Sequence, residues 1–71
     1  MHAEVPLRLN GTVSVFADDR GLGEIVADDT SYSFHCVSIA DGSRTIAVGV
    51  SVSFVLLPKL GRCEAADIRP T

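Results

Sequence analysis

The chain is poor in the residues that most site chemistries need. It has no tryptophan, one tyrosine and three phenylalanines. It has two cysteines, Cys36 and Cys63, and nothing in C-x-x-C spacing. A zinc site wants four ligands, and only His35 beside Cys36, with the distant Cys63 and His2, could be gathered, so no metal is expected. No apolar run approaches the roughly 20 residues of a helical membrane span. The N-terminal MHAEVPLRLN lacks a charged-then-apolar secretory pattern. The expectation is therefore a cytoplasmic protein with no membrane association and with reduced thiols, although a disulfide between the strands that carry Cys36 and Cys63 stays open. No Ser/His/Asp arrangement, phosphate-cradling loop or nucleotide fingerprint can be assembled, so neither an enzyme nor a cofactor is expected. The carboxylate pairs Asp18-Asp19 and Asp28-Asp29 sit between strand-like runs, where aspartate is favoured as a turn former.

Basic residues are also few. Six Lys and Arg stand against nine Asp and Glu, a formal net charge of −3. That is the wrong sign for a binder whose affinity rests on phosphates. The cations Arg8, Arg20, Arg44, Lys59, Arg62 and Arg69 are scattered rather than massed.

What the chain has is β-branched and apolar residues, 46% hydrophobic in all. A single domain over 1–71 is expected, with its core over about 9–69. A chain this short buries only about 60% of its unfolded surface. No segment has a helical period; short strand-like runs alternate with turn signals. Strands are expected over 11–17, 22–27, 31–37, 47–57 and 62–69. The turns between them hold Asp18-Asp19, Asp28-Asp29, a longer polar stretch with Asp41-Gly42, and Pro58, which should end the fourth strand. Five short strands, the first three hairpin-linked, suggest an all-β, five-stranded antiparallel Greek-key barrel of the oligonucleotide-binding type. Closure hides the sheet edges. An SH3-like barrel is the structural alternative.

The stretches GTVSVF (11–16), RGLGEI (20–25), YSFH (32–35), GVSVSF (49–54) and AADI (65–68) follow one another in a telling order. They resemble the landmarks of the bacterial cold-shock domain: G-T-V-K-W-F, the ribonucleoprotein motifs K-G-F-G-F-I and V-F-V-H, G-x-x-V-x-F, and A-x-N-V. The resemblance spans 11–68. It implies a non-enzymatic binder of single-stranded RNA or DNA with a regulatory role. It also implies a binding face built from Ser14, Phe16, Arg20, Leu22, Ser33 and His35.

The family's stacking rings are largely replaced. Val15 stands for the tryptophan, Leu22 and Glu24 for the two phenylalanines of the first motif, and Ser33 for that of the second. Ser14 stands for the early lysine, whereas Phe16, Arg20 and His35 retain the family's chemistry. Stacking contributes on the order of 1–3 kcal/mol per base. Three lost platforms remove roughly 3–9 kcal/mol, and the low end alone is about a hundredfold in affinity. Binding through this face is therefore expected to be weak. Val15, Leu22, Val37, Val48 and Val50 open an alternative, an apolar patch centred on Val15, Leu22 and Cys36 that meets a protein partner or a second copy. Inward packing of some of them would instead improve the core.

Overall fold

The computed structural model describes residues 8–40, 42, 44–59 and 61–71, with the backbone alone at 59 and 62. Five strands, β1 (Leu9–Ala17), β2 (Leu22–Ala27), β3 (Thr30–His35), β4 (Ser51–Lys59) and β5 (Arg62–Pro70), form a closed barrel in the order β1-β2-β3-β5-β4. The all-β, five-stranded closed barrel is thus as the sequence pattern predicts.

The local chemistry explains each turn. In β2, Leu22–Ala27, exposed and buried residues alternate at every position, the period-2 signature of a half-buried strand. Asp28 and Asp29 both adopt positive φ (50° and 63°), and Ala27 pairs with Thr30 across them. This is the two-residue hairpin geometry whose twist matches that of the flanking strands, and aspartate tolerates it. The β1–β2 turn closes with the Arg20 and Gly21 amides donating to the Ala17 carbonyl at 3.1 and 2.8 Å.

Two bulges shape the barrel. The β1–β2 register shifts between Val13 and Val15, which leaves Ser14 as the extra residue. Val13 is consequently buried, whereas Val15, two positions on, is 50% exposed. A regular strand would have put both on one face. The second irregularity lies between Ser53 and Val55 of β4, opposite Asp67 and Ile68 of β5. Asp67 there has φ 49°. Arg8 spans this bulge, donating from Nη1 to Asp67 Oδ2 and from Nη2 to the Asp67 carbonyl, both at 2.7 Å.

The core is Val13, Ile25, Ala27, Phe34, Ile39, Val52, Phe54, Ala65 and Ile68. Tyr32 leans on Phe54 with ring centroids 5.7 Å apart, and Phe16 lies flat against Phe34 at 5.9 Å. Ile39 enters the core from the loop after β3.

Four features differ from the sequence expectation. The barrel is mixed rather than wholly antiparallel: β3 and β5 pair in parallel at Ser33 and Glu64, and Ile39 bridges Ile68 in the same sense. β3 stops at His35, and Cys36–Ser38 form a 3-10 turn that carries the chain to Ile39. β4 begins at Ser51 rather than near 47. Gly49, at φ 95°, turns the preceding loop onto β1, its amide donating to the Val13 carbonyl at 2.8 Å. Finally, Pro58 lies inside β4, opposite Cys63. Among the described residues β4 pairs with β1 from Ser51 to Phe54, a stretch that ends before Pro58, so the proline replaces no ladder donor there.

Candidate ligand-binding face

The outer surface of β1, β2, β3 and β5 is organised by cross-strand rows. Val15 pairs with Glu24, Glu24 with Ser33, and Ser33 with Glu64, so these four residues cross the sheet in one line. One step along, Ala17 pairs with Leu22 and Leu22 with His35. The bulge at Ser14 brings Val15 onto this face in register with Glu24.

The two rows floor an open concavity of about 340 Å³. β1 contributes Val15 and Ala17, the β1–β2 turn Arg20, and β2 Leu22 and Glu24. β3 contributes Ser33 and His35, and β5 contributes Glu64. A second concavity, lined by Glu24, Ser31, Tyr32, Ser33 and Cys63, adjoins it across the Glu24–Ser33 pair.

Of the six residues assigned to a binding face by resemblance, the fold brings four together here: Arg20, Leu22, Ser33 and His35. The other two lie elsewhere. The Ser14 hydroxyl donates to the Glu24 carbonyl at 3.3 Å and ties down the bulge. Phe16 is half-buried, its ring parallel to that of Phe34 within 5°. The side chain of Lys59, one of the scattered cations, and His2 lie outside the described residues.

The concavity also holds a group that sequence reasoning missed. Glu64 is 9% exposed, and its Oε1 lies 3.4 Å from His35 Nδ1, an ion pair only when the imidazole is protonated. The parallel β3–β5 seam puts Glu64 there. No local signal marks that seam, because residues 33 and 64 belong to strands joined through a long detour. With Glu24 and Glu64 against Arg20, the described residues of the concavity carry a formal charge of −1 when His35 is neutral.

Among the described residues no three His, Cys, Asp or Glu side chains cluster as metal ligands. Both cysteines are free, Cys36 half-buried and Cys63 exposed. The Asp18 carboxylate accepts a hydrogen bond from the Thr45 hydroxyl at 3.1 Å, which ties the β1–β2 turn to the loop before β4. No helix among the described residues is long and apolar enough to cross a membrane. No protein-family model matches the chain, and no curated protein is similar enough to count as a relative.

Proposed function

We propose that the chain is a non-enzymatic, cold-shock-like nucleic-acid-binding module that holds single-stranded RNA or DNA weakly, in a regulatory role in the cytoplasm. The observation that carries this reading is the convergence of Arg20, Leu22, Ser33 and His35, from one turn and two strands, on a single open concavity of the barrel. Arg20 supplies the phosphate contact, and Leu22 and the half-exposed His35 ring supply flat contact to bases. With no row of rings, affinity rests on few contacts.

The test is an amide-shift titration of the full chain with short oligo-dT and oligo-U at low salt. Shifts centred on 14–24 and 33–37 that saturate in the millimolar range are expected. Affinity should fall linearly with salt on logarithmic axes, and Arg20→Ala should flatten that slope for every sequence alike. Absence of any shift at millimolar oligonucleotide removes the reading.

A second reading is favoured by a separate observation. Val15 is 50% exposed and Leu22 41%, side by side on this face, an exposed apolar pair of the kind that marks protein contacts. On that reading the same face docks a protein partner or a second copy. Concentration-dependent size, abolished by Leu22→Lys, would establish self-association.

A further inference from the structure

We infer that this concavity selects bases bearing an exocyclic amino group, guanine first, over thymine and uracil. The inference rests on the nucleic-acid reading and adds base selectivity to it.

The polar groups inside the concavity are mostly acceptors. Glu64 is nine-tenths buried, yet its carboxylate opens onto the concavity, and among the described residues its one polar partner is His35. That contact uses Oε1 and leaves Oε2 free to accept. A neutral imidazole adds one more acceptor, the ring nitrogen that carries no proton. Glu24 supplies a second carboxylate in the same cross-strand row, two strand spacings from Glu64, or about 10 Å. Between them the Ser33 hydroxyl can donate or accept. Arg20 stands at the turn end of the concavity, the one Lys or Arg among its described residues.

Such a surface rewards ligands that bring donors. Guanine presents N1–H and N2–H side by side, the spacing that two carboxylate oxygens accept together. Cytosine and adenine each bring one amino group, and acceptance of the cytosine amino group by Glu is an established pairing. Thymine and uracil present a single N3–H flanked by two carbonyl oxygens. Those oxygens would face carboxylates, a repulsion that discriminates as effectively as a gained contact. The two carboxylates, unhelpful against phosphates, thereby gain a role as specificity groups.

Hexathymidylate and the same hexamer with one central guanine or cytosine, together with the uridylate series, would be titrated into the full chain at one low salt concentration. Expected is at least about tenfold tighter binding of the guanine hexamer than of hexathymidylate, about 1.4 kcal/mol, with cytosine between them. Glu64→Gln keeps the shape but exchanges one acceptor for a donor. It should shrink the guanine preference to under about threefold, while binding of hexathymidylate holds or rises as a negative charge leaves. Glu24→Gln, at an exposed position, gives the same readout if the Glu64 variant folds poorly. Equal affinity for all hexamers, or a preference unchanged in both variants, overturns the inference while the binding function stands. Failure of every oligonucleotide to bind overturns the binding function and the selectivity together.

Discussion

Gly23 pairs directly with Phe34, and a Cβ placed on Gly23 would stand 2.5 Å from Phe34 Cζ and 2.7 Å from the Val15 carbonyl oxygen. The glycine of the RGLGEI stretch is thus a packing residue: it lets the buried Phe34 ring lie against the β2 backbone. Its φ is not positive, so the constraint is steric. Gly23→Ala must displace either a buried ring or a strand carbonyl. The expected loss is about 1–3 kcal/mol, at about 4–8 °C of melting temperature per kcal/mol for a domain this size. Thermal unfolding followed by far-ultraviolet circular dichroism checks it, since the chain has no tryptophan to report. An unchanged melting temperature would mean that the Phe34 ring has room to move.

Phe16 separates stability from binding. Its ring stacks on Phe34 and packs half-buried against the core, away from the concavity. Phe16→Ala should cost about 2 kcal/mol, below the range for a fully buried phenylalanine. The milder Phe16→Leu should lower the melting temperature while leaving oligonucleotide affinity within about twofold, a change of about 0.4 kcal/mol. Lost affinity with an unchanged melting temperature would make Phe16 a base-stacking ring instead.

Asp67 gives the barrel an acid-sensitive clasp. Its carboxyl is held below the ordinary carboxylate range, chiefly by the hydrogen bond from Arg8, which outweighs the opposing effect of desolvation, with Arg69 lowering it further. A folded-state pKa below the unfolded value means that the contribution is complete above the unfolded pKa and is lost as pH falls through the folded one. Asp67→Asn keeps a residue that tolerates φ 49° but removes the charge. The variant should melt below the parent at neutral pH, and the gap should close on acidification. A gap that persists in acid would assign the loss to geometry rather than charge.

The two thiols should differ in reactivity. Cys63 is exposed on β5. Cys36 is half-buried in the 3-10 turn, its amide donating to the Gly21 carbonyl at 2.7 Å. Limited alkylation of the native protein followed by mass spectrometry should label Cys63 first, and urea should make both equally reactive. Faster labelling of Cys36 would show that the turn after β3 opens readily.

Much of this architecture is legible in the sequence where the signals are local. The Leu22–Ala27 strand has matching boundaries because alternation along six residues and the flanking aspartates are visible side by side. The same holds for the two hairpins that join β1, β2 and β3. Elsewhere local pattern misleads. Val13, Ser14 and Val15 look like ordinary alternation, and only the register against β2 makes Ser14 the bulge. Ala47–Val50 has strand composition, yet its path is set by contacts to the Val13 backbone. Phe16 reads from the motif as a face residue, and the Ser14 bulge turns it against Phe34.

The amino-acid sequence alone determined the five-stranded all-β class and the hairpin turns, because turn chemistry and period-2 patterning act between near neighbours, whereas the four residues that meet at the concavity are named by resemblance to the cold-shock motifs. Only the tertiary structure decided the parallel β3–β5 seam, the two bulges and the arrival of Glu64 beside His35. Those depend on barrel closure, which pairs residues tens of positions apart and so leaves no local trace. The charge of the face follows from closure as well, since half of its carboxylates come from the last strand.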